Sequence, residues 1–468
     1  MKKIFAAALT IIIFSFLSAV ADSQTLEEQR RIEETKRSTL EETELQILEE
    51  EERLTFDYGG WINFRYDDYD DDDNDIATRD TLDYTNSLDF RFWLKATLKP
   101  PVNATYPNQH SLYLRLKNIY TKNYPQDLND SNDNNGPHVD YAYFVVDLRP
   151  YWFEIGRRYF SVGQGIAYSN VNDGIELLVP LENWNIKALV SQTLPHEANI
   201  DMSVPGYSKK SDRIYYGAEF TYLGIANHGI YGYYLGQKDN SDEDPDDTVH
   251  DFTYTSQYFG LGSQGKITPT VHYWSEIIKE IGNSHIYNAA SEKKEINSWA
   301  ADFGISYDWD VYSHPNFSIG YAFGSGDSGR TNVTDTQNGN TSGDDENFLY
   351  FGYLPTGYAL SPRLSNLHLY KIEALLKPLE KYPHFKNLSL GIEYFRYYKD
   401  KKSGGISDTD ATVSDSDIGS EIDVTVSWQI ASDLSMSIEY GHFEPGDAYP
   451  DSANDSEDYF STSVTLTF

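Results

Sequence analysis

Seven basic side chains recur at one parity along segments whose residues alternate in polarity: Arg65, Arg91, Lys95, Arg115, Lys117, Arg158 and Lys187. Basic groups repeated on the watery face of a sheet make a wall of fixed positive charge, and such a wall sorts solutes by sign. Farther along the chain Asp302, Asp308, Glu373, Glu393, Glu421, Asp423 and Glu439 take the equivalent positions. The early wall is therefore basic and the late wall acidic. Two readings stay open: selection of charged permeants, with Arg91, Arg115 and Arg158 as its centre, or ion pairs that brace a lumen. Bond-making chemistry is not indicated. The histidines of the alternating segments, His110, His228, His272, His368 and His442, lie far apart, with no hydroxyl or carboxylate at the spacing of a catalytic pair. The run Gly324-Ser-Gly-Asp-Ser-Gly has no lysine and no helix after it, so it reads as a rim turn and not as a phosphate loop.

The elements that position these groups are strands. Phe90, Leu94 and Leu98 alternate with Arg91, Trp93 and Lys95; Ile422, Val424 and Val426 alternate with Glu421, Asp423 and Thr425. A period of two with one apolar face describes a half-buried strand. Most of these segments run ~10 residues or longer, the length a tilted membrane strand needs. The last strand puts Phe460, Thr462, Val464, Leu466 and Phe468 on one face and Tyr459, Ser461, Ser463, Thr465 and Thr467 on the other. That pattern is the lipid-out, water-in signature of a transmembrane barrel. Eighteen such segments fit between residues 58 and 468, with strands ten and eleven placed at 251–260 and 266–276. The predicted fold is all-β: a single antiparallel transmembrane β-barrel of about 18 strands over residues 56–468. Short connections such as Arg149-Pro150 read as periplasmic turns, and long ones such as 325–364 as extracellular loops.

The chain ends and the composition agree. Lys2 and Lys3, the apolar run Ile4 to Leu17 and Ala19-Val20-Ala21 form a secretory signal peptide over residues 1–21. Leu26, Leu40, Ile47 and Leu54 fall in one heptad phase within a charged segment, so residues 22–55 read as a short periplasmic helix that docks on a partner, or as a solvated leader. There are no cysteines, and 38 Tyr and 8 Trp supply the rings that line barrel rims. A mean hydropathy of −0.57 is compatible with a barrel, since half of each strand faces water. The net charge of −36 argues against a nucleic-acid partner. Part of it is clustered: Asp70, Asp72, Asp127 and Asp130 belong to acidic stretches that either hold Ca2+ weakly, bridging to lipopolysaccharide, or simply solvate the surface. No other cofactor is implied. The expected setting is the outer membrane of a Gram-negative bacterium, reached through the barrel-assembly machinery and the strand ending at Phe468.

Several motifs resemble the alginate-export (alginate porin) family of outer-membrane barrels. They are Leu88-Asp-Phe-Arg-Phe-Trp-Leu, Phe153-Glu-Ile-Gly-Arg-Arg leading to Asn172-Asp-Gly-Ile-Glu, Gly320-Tyr-Ala-Phe-Gly-Ser-Gly-Asp, Pro362-Arg-Leu-Ser-Asn-Leu, Ile418-Gly-Ser-Glu-Ile-Asp and Phe443-Glu-Pro-Gly-Asp-Ala. The resemblance implies a monomeric barrel that passes an anionic polysaccharide such as alginate through an arginine-lined constriction gated by loops. It also implies pore roles for Arg91 and for Arg158 or its neighbour Arg157, and places Asp173 and Glu176 near the constriction. The acidic late wall and the 22–55 segment depart from that pattern, so a small-solute porin with another cargo is the competing expectation.

Overall fold

The computed structural model describes residues 53–69, 84–100, 108–124, 135–200, 210–241, 252–286, 293–336 and 339–468. The signal peptide, nearly all of the 22–55 segment and the four candidate calcium ligands lie outside them. The chain divides into two units, Met1–Phe56 with Thr97–Gln109, and Asp57–Ala96 with His110–Phe468. Little of the first is described: there the Lys99 N–H donates to the Arg53 carbonyl (2.8 Å). All that follows concerns the second, apart from residues 54–56 and 97–98 at two strand ends.

Its strands are β1 (Leu54–Tyr69), β2 (Tyr84–Leu98), β3 (His110–Tyr124), β4 (Asn135–Leu148), β5 (Tyr151–Ser161) and β6 (Ser169–Pro180). Then come β7 (Trp184–Gln192), β8 (Arg213–Ile225), β9 (His228–Asp239), β10 (Thr255–Thr268), β11 (Val271–His285) and β12 (Lys293–Asp308). The last six are β13 (Asn316–Gly324), β14 (Leu367–Leu376), β15 (Leu388–Lys399), β16 (Asp417–Gln429), β17 (Leu434–Pro445) and β18 (Glu457–Thr467). The first two residues of β1 fall inside the span expected for the leader. Neighbouring strands pair along the chain, and β1 pairs with β18. The sheet is thereby closed, which leaves no edge with unsatisfied backbone groups for lipid to meet. At the seam Phe468 and Gly60 exchange backbone hydrogen bonds of 3.0 and 2.9 Å.

Alternation holds around the wall. Ile62, Phe64, Phe90, Leu94, Phe144, Ile155, Ile175, Phe220, Leu261, Ile392, Ile422, Val464 and Leu466 are all exposed although apolar. In water such a surface would be costly; against hydrocarbon it is the required solvent-facing surface. Aromatic rings close the band at both ends. At the short-turn end Phe385 stacks on Trp428 (5.0 Å) and Trp184 meets Tyr222 (4.8 Å). At the long-loop end Tyr84 bridges Tyr66 (5.6 Å) and Tyr124 (4.4 Å).

The largest boundary difference from the sequence expectation lies between β10 and β11. The turn expected at 261–265 sits at residues 269–270, so β10 and β11 run farther than 251–260 and 266–276. The cause is Gly260 and Gly262. They punctuate no turn; they make room within the sheet for Tyr233 and Tyr231 of β9, whose rings would collide with a Cβ at either position. Gly260→Val should therefore overpack this wall, at a cost of ~1–3 kcal/mol. The check is the urea unfolding midpoint in detergent, which should fall; an unchanged midpoint would contradict this placement of the β9 rings.

Candidate pore constriction

A loop that folds into a barrel must satisfy its backbone N–H groups without bulk water. Two loops do so here on carboxylates of the lumen wall. In the 162–168 loop, Gly163 N–H donates to Glu219 Oε2 (2.9 Å) and Gln164 N–H to Glu276 Oε2 (2.7 Å). Tyr231 and Tyr233 fix Glu276 by donating their hydroxyls to it (2.7 and 2.6 Å). Gly163 has a φ of +54°, and a Cβ there would lie 2.6 Å from Glu276 Oε1, so the position has room for glycine only.

The 325–366 loop is held at two points. Leu349 N–H donates to Glu280 Oε2 (3.1 Å), and Tyr258 donates its hydroxyl to the Leu349 carbonyl (2.7 Å). Tyr254 and Ser298 also donate to Glu280 (2.7 and 2.5 Å). On the other side Tyr358, Ala359 and Leu360 point three successive N–H groups at the Glu421 carboxylate (2.6, 2.7 and 3.2 Å). Such a row of N–H groups is an anion nest. Tyr397 adds its hydroxyl at 2.9 Å. Gly357 leads into the nest at a φ of +126°, with its Cβ position 2.7 Å from Glu421 Oε1.

The two loops are joined. Phe351 N–H donates to the Ala167 carbonyl (3.0 Å), Ser169 N–H to the Phe351 carbonyl (3.3 Å) and Tyr353 N–H to the Gly165 carbonyl (3.1 Å). Phe348 and Leu349 are fully buried, so this segment is packed as core and does not hang in solvent. The outer part of the longer loop has its own lock, a buried Arg330 that grips Asp345 through Nε and Nη2 (3.0 and 2.6 Å). Burial opposes the Arg330 charge, but Asp345 outweighs it and the guanidinium pKa is raised.

Several acids of the late wall are thus engaged. Glu421 anchors a loop, Glu373 and Glu393 flank Lys371 (3.5 and 3.0 Å), and Glu439 reaches Arg65 (3.4 Å). The basic wall is balanced as well. Arg91 pairs with Asp89 (2.7 Å) and Asp140 (3.0 Å), and Arg115 with the same Asp140 oxygen (2.6 Å). Arg158 binds Glu154 and Glu176, each at 2.6 Å. Arg65 pairs with Asp67 (2.7 Å), and Lys187 with the loop anchor Glu219 (2.9 Å). Lys95 and Lys117 make no ion pair with any described residue.

Arg157 and Asp173 do not join this set. They pair with each other (2.9 Å) on the parity of the exposed Ile155, Tyr159 and Ile175, on the outer face of the wall. Alternation explains this, since Arg157 and Arg158 are adjacent and must point to opposite faces. Glu176, at the other parity, faces inward and is buried. The sequence reading also missed Asp89, Asp140, Glu154, Glu219, Glu276 and Glu280. For two of them a signal existed: Asp89 stands two residues from Arg91 and Glu154 four from Arg158, each on the same strand face.

A closed eighteen-strand barrel with lipid outside, charge inside and two inward loops defines an outer-membrane channel. A profile of the family described as Alginate export matches residues 61–462, most of the chain, and the protein belongs to that family. Three solved barrels share the fold. Pseudomonas aeruginosa OccK11 (OpdR) superposes with a TM-score of 0.53 at 12% identity, covering 88% of this chain and 96% of that one. Acinetobacter baumannii OccAB4 gives 0.54 at 13%, covering 88% and 98%. Pseudomonas aeruginosa OccK8 (OprE) gives 0.53 at 12%, again over 88% and 98%. Identity this low speaks to fold alone. No match is found among curated proteins.

Proposed function

We propose that this barrel passes an anionic polysaccharide or oligosaccharide, of the alginate type, through the gap beside the joined loops. The observation that carries this reading is where the loops are fastened. Their anchors lie on β8, β11 and β16, and none lies on the β1–β5 wall that carries Arg91, Arg115, Arg158, Lys95 and Lys117. Each guanidinium there has donors beyond those its carboxylate takes. A polymer carboxylate can use these spare N–H groups in passing, and a site weak enough to release it is what conduction requires.

The balance of charge also favours a second reading. With each of these arginines matched by an acid, small ions have little reason to be sorted, as in a small-solute porin of the same architecture. The two readings part in a planar bilayer. An oligouronate should interrupt the current through the native pore, while a salt gradient should give only a small reversal potential. Absence of any interruption by oligouronate would remove the anionic cargo and leave the small-solute reading.

A further inference from the structure

The wall that the loops leave open carries more than charge. Trp61, Trp93, Tyr113, Tyr141 and Tyr143 share the inward parity of β1 to β4, opposite the exposed Ile62, Leu94, Leu112 and Phe144. Trp93 stacks on Tyr113 with centroids 6.0 Å apart and planes at 20°. Tyr113 continues to Tyr143 at 5.3 Å and to Tyr141 at 6.5 Å. Arg115 bridges Tyr141 and Trp61, with its guanidinium 3.9 and 5.2 Å from the two ring centres. Arg91 covers Trp61 at 5.3 Å. The rings form one connected run across four strands.

Three features separate this run from ordinary packing. All five residues are only partly buried, whereas the aromatic residues under the loops, Tyr258, Phe348 and Tyr397, are fully buried. The hydrogen bonds of the two inward loops to the wall end on other strands. And the wall is cut away to let a ring lie flat: a Cβ at Gly59 would sit 2.9 Å from Trp93 Cζ2.

We infer that this run is a binding track for saccharide rings, along which the apolar C–H face of a sugar rests on Trp93, Tyr113 and Tyr143 while Arg91 and Arg115 meet its polar or acidic edge. A sugar has one apolar face and a rim of hydroxyls, so aromatic faces flanked by guanidinium donors match it on both counts. Stacking does not depend on the sugar's charge, so the track serves neutral rings as well as uronates. Consecutive weak sites let a chain advance by exchange from ring to ring. The inference builds on the channel reading and adds the mode of recognition.

The test is current interruption by a neutral gluco-oligosaccharide and, separately, by an oligouronate, in the native pore and in Trp93→Ala/Tyr113→Ala. Both sugars should block the native pore. In the variant both blockades should shorten about tenfold, equivalent to ~1.4 kcal/mol, while the protein still inserts and conducts. Trp93→Leu/Tyr113→Leu, which keeps apolar bulk without a planar face, should shorten them likewise and decides the matter if the alanine pair does not insert. Blockade by oligouronate that is indifferent to both variants overturns the track and leaves the anionic cargo standing. Blockade by the neutral sugar alone, sensitive to the rings, upholds the track and removes the anionic cargo. A native pore that neither sugar blocks overturns both.

Discussion

Replacing Glu280 and Glu421 together by alanine is expected to raise single-channel conductance several-fold while leaving the barrel inserted. Glu421 receives three backbone N–H groups and a tyrosine hydroxyl, and Glu280 receives one N–H and the hydroxyls of Tyr254 and Ser298. Hydrogen bonds to a charged acceptor contribute ~1.5–3 kcal/mol each, and every buried N–H left without its acceptor costs ~1–3 kcal/mol. Loss of both anchors therefore removes more than a loop's own packing can supply, and the 325–366 segment leaves the lumen. Glu421→Gln keeps an acceptor without its charge and should fall between. Glu373→Ala, at an acid that holds no loop, should leave conductance unaltered. If the double variant conducts like the native pore, the loop does not set its width.

The second large effect is on selectivity. Arg91 and Arg115 share Asp140, and Asp89 completes a cluster of two cations and two anions. Arg91→Glu with Arg115→Glu turns it into four carboxylates on one patch of wall. Four negative groups so close make the local potential strongly negative and concentrate cations, so the pore should become strongly cation-selective and lose its blockade by oligouronate. Asp140→Asn should do the reverse, freeing both guanidiniums and shifting the reversal potential toward anions. The same replacement would leave selectivity alone if Arg91 and Arg115 lay off the conduction path. Raising the salt concentration should shrink both shifts, because groups facing water are screened.

The outline of this molecule was legible from a period of two. Alternation around Arg91, Asp423 and Phe460 was enough to assign faces, count the strands and close the sheet, because lipid on one side and water on the other impose the same rule on every strand. Errors arose where a second constraint acted. The tenth strand was expected to end at residue 260, yet Gly260 and Gly262 lie inside it as spacers for Tyr233 and Tyr231, a demand set by the adjacent strand. The family motif left Arg158 and Arg157 as alternatives, and alternation separates them, because adjacent strand residues cannot share a face. The acidic late wall was open to two readings, selection of permeants or ion pairs that brace the lumen. It is in part the scaffold of an inward loop, and a contact between Glu421 and backbone N–H groups some sixty residues earlier leaves no mark in side-chain pattern.

The central claim is that neighbouring residues of each strand see different solvents, and the absence of cysteine from the chain makes it directly measurable. Single cysteines at Ile62, Asn63, Phe64 and Arg65 of β1 can be treated, in the reconstituted protein, with a membrane-impermeant charged thiol reagent. The account predicts strong labelling at 63 and 65 and little at 62 and 64. Equal labelling at all four positions would contradict it.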